Sequence, residues 1–237
     1  MHEYNSFITL TYEDKHLPDD YSVQLRTLQL FMKRLRKHEK GKRIRFFGCG
    51  EYGDQTLRPH YHALLFGHDF TDKKVFKKTD YGPVFTSEIL DKIWGFGYCS
   101  TAAVNYKTAS YVARYVLKKI TGDRADDHYL RLHPNRGTLH HVGPEFATQS
   151  VRPGLGTSWF NKFKSDAFPS DFVVLDGTKM AVPRFYTKKL AEEEQLKIKR
   201  QRKRSGLKRK PDQTPARLRV REEIKQSQIS VLQRKLG

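Results

Sequence analysis

Two histidines at alternate positions of an apolar segment are the residues of this chain whose types and spacing most directly suggest chemistry. His60 and His62 lie in residues 60–66, a hydrophobic run that follows Pro59 and has the composition of a strand. Alternate strand positions share one face at a spacing of roughly 6.5–7 Å, so both imidazoles can turn toward one divalent ion. The alternative is a solvated or hydrogen-bonded pair, because short motifs of this kind also occur without a metal.

A carboxylate upstream of the histidines supplies a third possible ligand. Residues 43–49 also have the composition of a strand and lead to Glu51, just before the turn-like stretch 52–54. If the chain then forms a hairpin, Glu51 lies across from His60 and His62. Two imidazoles and one carboxylate with open positions suit Mg²⁺ or Mn²⁺, and zinc accepts the same ligand types. Without the histidines, Glu51 would be interpreted as an exposed residue at a strand end.

A pair of phenols occupies a predicted helix further along the chain. Apolar residues recur there at three- and four-residue steps and form one stripe that ends before Gly122: Ala109, Val112, Ala113, Val116, Leu117 and Ile120. Tyr111 and Tyr115 are neighbours on a helix at about 5–6 Å. Helix aromatics usually belong to a core, but here the aliphatic stripe already provides a core face. We therefore predict that both tyrosines point away from the stripe.

Basic residues accompany the two phenols. Lys118 falls on the same side of the helix as Tyr111 and Tyr115, with Arg114 beside it and Lys119 next in sequence. Such cations would favour a phenolate and attract a phosphate. A metal site that faces a pair of nucleophiles is what phosphodiester cleavage through a covalent intermediate needs.

The elements that must position these residues follow an α+β pattern. The predicted order is strand 6–12, a helix capped by Asp20 or Ser22 and running to about Lys40, strands 43–49 and 60–66, a helix capped by Thr86 or Ser87 and running to Trp94, an extended segment 97–104, and the tyrosine helix. This order predicts a central antiparallel sheet with flanking helices. Residues 123–187, rich in glycine, proline and aromatic residues, are left without an assigned order.

Three stretches in this order resemble the three motifs of HUH rolling-circle replication initiators. They are FITLTY at 7–12, RPHYHALLFG at 58–67 and YVARYVLKK at 111–119. The paired tyrosines resemble the two-tyrosine class, and the likeness is greatest to the replication initiators of microvirus-type phages, especially gokushoviruses. It continues through QSVRPGLG at 149–156 and covers roughly residues 5–190.

The resemblance implies a fold and a reaction. The fold would be the HUH endonuclease fold, RRM- or ferredoxin-like, with the histidine strand central. A metal held by Glu51, His60 and His62 would polarise the scissile phosphate. Tyr111 or Tyr115 would attack phosphorus, leaving a 5′-phosphotyrosyl link and a free 3′-hydroxyl that primes synthesis, and the second tyrosine would serve the later cleavage and rejoining. Because the phosphotyrosyl bond conserves energy, rejoining needs no ATP.

The resemblance also implies further residues and partners. Lys118 would act beside the catalytic tyrosines, and Arg58, Arg114 and Lys119 would contact DNA. The partners would be single-stranded DNA at the phage origin and the helicase and polymerase of the host, with the host bacterial cytoplasm as the location. Family members usually carry a cysteine-containing stretch before the first motif, whereas Met1 here lies a few residues before Phe7. A naturally short form, an alternative start and a shortened chain all stay open.

Composition agrees with a nucleic-acid partner. The chain has 45 Lys and Arg against 26 Asp and Glu, a net charge of +19. Residues 188–237 alone hold 17 basic and 6 acidic residues, so we predict a nicking-joining domain over 1–187 and a basic, partly helical or disordered tail over 188–237. No phosphate-binding GxxxxGK[ST] loop supports ATPase or helicase activity, and no apolar run or signal peptide suggests a membrane.

Other residues and functions carry less weight. Two cysteines are too few for a disulfide framework, and reduced thiols are expected. Four further histidines match no metal-ligand spacing and are expected to be solvated: His128, His133, His140 and His141. A non-enzymatic module for single-stranded nucleic acid is an alternative function, although it gives no reason for Glu51, His60 and His62 to occur together. A conjugative relaxase or an HUH transposase is the nearer alternative.

Overall fold

An antiparallel sheet of seven strands organises the part of the chain that runs from His2 to Arg152. The computed structural model describes residues 1–79, 82–115 and 119–231. The strands of this first unit are β1 (Asn5–Thr11), β2 (Arg45–Tyr52), β3 (Pro59–Phe66), β4 (Lys74–Thr79), β5 (Gly82–Thr86), β6 (Cys99–Ala103), β7 (Leu130–Leu132), β8 (Leu139–His141) and β9 (Phe146–Gln149). Its helices are α1 (Leu25–His38), α2 (Glu88–Trp94), α3 (Tyr106–Tyr115) and α4 (Ala125–Tyr129).

The histidine strand lies in the interior of the sheet. The strand order is β4-β5-β6-β1-β3-β2-β9, so β3 pairs with β1 on one side and β2 on the other, and β7 and β8 form a separate hairpin. All neighbouring pairs of the large sheet are antiparallel. The predicted α+β class, with helices flanking an antiparallel sheet, is confirmed.

The main core forms on the face of the sheet opposite the histidines. Ile8 and Leu10 of β1 are fully buried there, and α1 packs with them through the four apolar residues that the periodicity indicates: Leu28, Phe31, Met32 and Leu35. Side chains alternate across a strand, so burying one face of β1 leaves Phe7, Thr9 and Thr11 on the other. This second face carries the candidate site.

The start of α1 differs from the prediction. The helix begins at Leu25 after Gln24, which makes no side-chain cap, so capping by Asp20 or Ser22 is wrong. The Ser22 hydroxyl instead accepts a hydrogen bond from the Gly143 N–H at 2.9 Å, which ties the segment before α1 to the one after β8. The second capping prediction is confirmed in one of its two forms, because the Ser87 hydroxyl accepts from the Leu90 N–H at the start of α2.

A hairpin between β3 and α2 was not predicted. Its strands β4 and β5 extend the sheet past β6 and form one of its edges. The sequence of β4, KVFKKT, places three lysines in a short strand, and lysine is depleted in strands in general. Lysines are common on edge strands, where they oppose pairing with another chain, so tertiary position outweighs propensity here.

The chain from Pro153 onward forms a second unit. Its elements are α5 (Thr157–Ala167), β10 (Phe172–Leu175), β11 (Thr178–Ala181), α6 (Arg184–Thr187), α7 (Glu192–Lys208) and α8 (Pro215–Ser230). A small core includes Phe160, Phe168, Leu190 and Ile198. The division after Arg152 lies upstream of the boundary predicted after residue 187, which stays a prediction about independent folding. None of the helices in the described ranges combines the length and hydrophobicity that crossing a bilayer requires.

Candidate metal and nucleophile site

The hairpin of β2 and β3 brings the three predicted metal ligands together. Glu51 and His60 are direct partners in the register of these strands, and Cys49 is the partner of His62. The turn between the strands is closed by the Gly53 N–H, which donates to the Arg58 carbonyl at 3.0 Å. Because β-strand side chains alternate, this register places Glu51 and both histidines on one face of the sheet.

The donor atoms converge at the distance that one cation needs. Glu51 Oε1 lies 2.9 Å from Nε2 of His60 and 2.9 Å from Nε2 of His62. One ligand atom from each residue lies within 4.8 Å of the others. Glu51 is 1% exposed and His62 4%, whereas the His60 side chain is 19% exposed, so the cluster opens on the His60 side. Two imidazoles and a buried carboxylate with an open side fit Mg²⁺ or Mn²⁺ by donor type.

Outer contacts orient both imidazoles. Thr9 Oγ1 lies 3.0 Å from Nδ1 of His62, and the backbone carbonyl of Arg58 lies 3.2 Å from Nδ1 of His60. A carbonyl only accepts, so it favours a proton on Nδ1 of His60 and directs Nε2 toward Glu51. Contacts of this kind fix the tautomer and the ring orientation of metal-binding histidines.

Glu51 is held as a carboxylate. Its burial by itself raises the pKa, but hydrogen bonds from His60 and His62 and the charges of these two rings act in the opposite direction and leave the pKa at about 2. The carboxyl group is therefore ionised at neutral pH, which is the form that binds a cation.

Both tyrosines of α3 face the sheet. Tyr111 and Tyr115 are 7% and 8% exposed and pack with Phe7 of β1, Leu64 of β3 and Cys49 of β2. The prediction that they point away from the core is therefore wrong. The reason is area: two phenol rings bury far more apolar surface than alanines do, so α3 turns its tyrosines inward and leaves Ala113 exposed.

The phenols lie directly against a metal ligand. The His62 ring stacks on Tyr115 with centroids 5.3 Å apart and meets Tyr111 edge-on at 5.5 Å. Phe7 stacks on the His62 ring at 5.6 Å, and the two phenol rings are 4.8 Å apart. The structure thus brings together the predicted ligands and the predicted nucleophiles.

Burial rather than basic charge dominates the acidity of the phenols. Burial raises the pKa of Tyr111 to about 12, against a smaller lowering effect of the hydrogen bond from Tyr115. Burial and then the negative charge of Glu51 raise the pKa of Tyr115. The prediction that neighbouring cations favour a phenolate is therefore wrong for this state of the protein, because both phenols are buried beside a carboxylate.

The predicted basic residues occupy different positions. The Arg114 guanidinium carbon lies 5.8 Å from the centre of the Tyr111 ring, and Lys119 is exposed. Arg58 donates to Asp14 at 2.6 Å and to the Tyr12 carbonyl at 2.8 Å, so it braces the loop after β1. Lys118 lies outside the described residues, as do positions 116 and 117 of the predicted apolar stripe. Contact of Arg58, Arg114 and Lys119 with DNA stays a prediction.

Thr9, Phe7 and Cys49 are site residues that sequence reasoning missed. The alternation in β1 contains a signal for the first, because Thr9 and Thr11 interrupt an otherwise apolar strand at every second position. Nothing in the sequence places Cys49 beside the phenols, since its strand position does not indicate which helix covers it.

The four other histidines differ in their environments. His133 is buried, and its Nε2 lies 2.7 Å from the Asp19 carbonyl, so the prediction that it is solvated is wrong. His140 makes a similar contact with the Asp20 carbonyl at 3.0 Å, whereas His128 and His141 are exposed. The first two join the β7–β8 hairpin to the segment before α1.

Comparisons with known proteins place the chain near phage replication proteins. Residues 5–120 match a family model described as Replication-associated protein ORF2. The chain is 34% identical over 195 residues to the Replication-associated protein VP4 of Bdellovibrio phage phiMH2K, covering 78% of this chain and 58% of that relative. It is 30% identical over 196 residues to the Replication-associated protein ORF4 of Chlamydia phage 1, covering 78% and 45%.

A third relative agrees with these two. The Replication-associated protein ORF2 of Spiroplasma virus 4 is 27% identical over 208 residues, covering 81% of this chain and 59% of that protein. The chain therefore spans about half the length of the curated relatives it matches. No solved structure gives a significant match.

Proposed function

This chain belongs with the replication initiators of microvirus-type phages, and from that premise we propose that it nicks and rejoins single-stranded DNA at a replication origin. Its reaction is metal-dependent and passes through a 5′-phosphotyrosyl intermediate that starts and ends rolling-circle replication. One observation carries the proposal: two phenols pack on the ring of His62, which itself converges with His60 and Glu51 on one point.

Glu51, His60 and His62 hold the divalent cation, Mg²⁺ or Mn²⁺. When bound, it supplies a Lewis acid that withdraws charge from the non-bridging oxygens of the scissile phosphate. The open side at His60 faces the substrate, while Thr9 and the Arg58 carbonyl keep both imidazoles in place. The basic charge of the chain attracts the DNA backbone.

One phenol acts as the nucleophile. The Oη atom of Tyr111 or Tyr115 forms a bond to phosphorus and the bond from phosphorus to the 3′ oxygen breaks. The phenol loses its proton, and the departing 3′ oxygen becomes a hydroxyl. The reverse attack by a 3′-hydroxyl releases the tyrosine and joins the strand. Because the rings are 4.8 Å apart on one helix, the second phenol can cleave while the first is still linked to DNA.

The proposal extends to location and partners. The protein acts inside the host cell on single-stranded DNA of the phage origin. Strand separation and synthesis are left to the helicase and polymerase of the host, since the sequence has no nucleotide-binding loop of the GxxxxGK[ST] type.

Covalent capture tests the proposal. Labelled single-stranded fragments that tile the phage genome are incubated with the protein and Mn²⁺, with EDTA as control, and resolved on a denaturing gel. We expect a metal-dependent band at the mass of protein plus DNA, absent for the Tyr111→Phe/Tyr115→Phe double variant. Tight binding of every fragment with no such band would contradict the proposal and favour a non-enzymatic binding module.

A further inference from the structure

A groove runs beside the metal and nucleophile site on the same face of the sheet. It has a volume of about 260 Å³ and is formed by β1, the hairpin strands β4 and β5, and the start of β6. Six of the side chains that line it are hydroxyl-bearing or aromatic: Thr9, Thr11, Phe76, Thr86, Tyr98 and Ser100. We refer to it as the hairpin groove.

Two aromatic side chains at the hairpin groove are largely in contact with solvent. Phe76 is 64% exposed and Tyr98 is 75% exposed. Large aromatic faces left in water beside a groove mark binding surfaces more often than single exposed aliphatic residues do. Thr11 anchors Tyr98, because its hydroxyl and its N–H donate to the Tyr98 carbonyl at 2.6 and 3.1 Å. The backbone of this platform is thus fixed before any ligand arrives.

The hairpin groove is continuous with the candidate catalytic site. Thr9 lines it and also lies 3.0 Å from Nδ1 of His62. In the sheet register, Thr9 stands between His62 of β3 and Ser100 of β6. Two strand spacings therefore separate His62 from the floor of the groove, about 10 Å in all, which a nucleotide or two of single-stranded DNA can span.

Charge around the groove separates a place for the backbone from a place for a base. Strand β4 carries Lys74, Lys77 and Lys78 at the sheet edge, where lysines can contact phosphates. The carboxylate of Asp91 also lines the groove and accepts a hydrogen bond from the Cys99 N–H at 2.9 Å. A carboxylate repels a phosphate but accepts hydrogen bonds from the amino groups of bases.

We propose that the hairpin groove binds a nucleobase of the single-stranded substrate, stacked on Tyr98 and Phe76, while the lysines of β4 hold the adjacent backbone. The inference rests on the proposed function for its position next to the cleaved phosphate. The hydroxyl groups and Asp91 in the groove offer hydrogen bonds to the edge of the base, so the groove contributes to the choice of sequence beside the cleavage step.

Binding in the absence of metal tests the groove separately from cleavage. The probe is a fluorescent single-stranded oligothymidylate, followed by labelled genomic fragments, in buffer with EDTA and measured by anisotropy. We expect Tyr98→Ala and Phe76→Ala each to weaken binding about 5- to 100-fold, since stacking of one base on an aromatic ring contributes roughly 1–3 kcal/mol. Tyr98→Phe keeps the ring and should retain most of the affinity.

Matched controls remove aromatic or apolar surface elsewhere. Tyr4, 55% exposed before β1, and Val75, 65% exposed next to Phe76, are absent from the groove lining. Tyr4→Ala and Val75→Ala should leave the affinity unchanged. Equal losses for Tyr98→Ala and Tyr4→Ala, or no loss at all for the groove variants, would overturn the proposal.

Photocrosslinking gives a direct location. Oligonucleotides with 5-iododeoxyuridine are irradiated on the unmodified protein and the linked peptide is identified by mass spectrometry. Crosslinks to Tyr98 or Phe76 support the groove, and crosslinks confined to residues 192–231 contradict it. Because these measurements use EDTA, they can succeed while covalent capture with Mn²⁺ fails, so failure of the groove and failure of the proposed nicking activity are distinguishable.

Discussion

The phenol of Tyr115 lies parallel to the imidazole of His62, with centroids 5.3 Å and ring planes 17° apart, and Phe7 also stacks on that imidazole. A candidate nucleophile and a candidate metal ligand are therefore parts of one packed stack. A change in ring size at Tyr115 would disturb the position of His62. A change that removes only the hydroxyl would not, and this difference decides how the site should be tested.

Removal of the two hydroxyls should separate covalent chemistry from binding. The Tyr111→Phe/Tyr115→Phe variant keeps both rings on His62, so we expect normal affinity for single-stranded DNA and no covalent adduct. Each single variant should retain some cleavage, because the other phenol is adjacent. Tyr106→Phe, at the exposed start of α3, is the matched control. Adduct formed by the double variant would exclude both residues as nucleophiles.

Loss of one imidazole should abolish metal-dependent cleavage. His60 is the more exposed of the two rings, so His60→Ala should fold normally and bind single-stranded DNA through the basic surface. Cleavage should disappear across a Mn²⁺ titration, while the exposed His128→Ala control stays active. If His60→Ala lost binding and cleavage together, a folding defect would explain the result better than a missing ligand.

Thr9 should tune the affinity for metal without contacting it. Thr9→Ala removes the oxygen 3.0 Å from Nδ1 of His62, and loss of such an outer contact weakens metal binding by about 10- to 100-fold. Thr9→Ser keeps the oxygen and should restore the affinity. Mn²⁺ binding followed by electron paramagnetic resonance measures this without any DNA. Identical Mn²⁺ affinity in Thr9→Ala and the unmodified protein would refute the positioning role.

Acid should destabilise the fold through Glu51. Its pKa is about 2 in the folded protein, below the ordinary value of 4.5, so the folded state binds fewer protons than the unfolded state in this window. The associated stability is present above about pH 4.5 and is lost as the pH falls toward about 2. Urea unfolding at several pH values should show this loss, and Glu51→Gln should reduce it. An equally steep acid dependence in Glu51→Gln would assign the effect to other carboxylates.

The basic helices of the second unit should supply non-specific DNA affinity. A chain cut after residue 190 would lose Ile198 from the small core, so a cut after residue 213, before α8, is the cleaner change. It removes Arg217, Arg219, Arg221 and Lys225. Affinity for single-stranded DNA should fall, and the slope of log affinity against log salt should flatten by about 0.7 for each phosphate that α8 neutralises. An unchanged slope would mean that α8 does not bind DNA.

Local patterns were sufficient for the metal site. The two-residue spacing of His60 and His62 and the turn before Pro59 predicted a hairpin that brings Glu51 opposite them, and the structure has this register. Such inferences succeed because strand alternation and a short hairpin are local constraints. The periodicity of α1 predicted its buried residues for the same reason.

The sequence by itself determined which residues are candidates for chemistry, the α+β class and the resemblance to phage replication initiators. Only the tertiary structure decided which face of α3 is buried, that β4 and β5 extend the sheet, and that Thr9 joins the metal site to the hairpin groove. The physical reason is that helix rotation and strand neighbours depend on surface buried between segments distant in sequence. The tyrosines face inward because their rings, and not the smaller aliphatic residues, best cover the second face of the sheet.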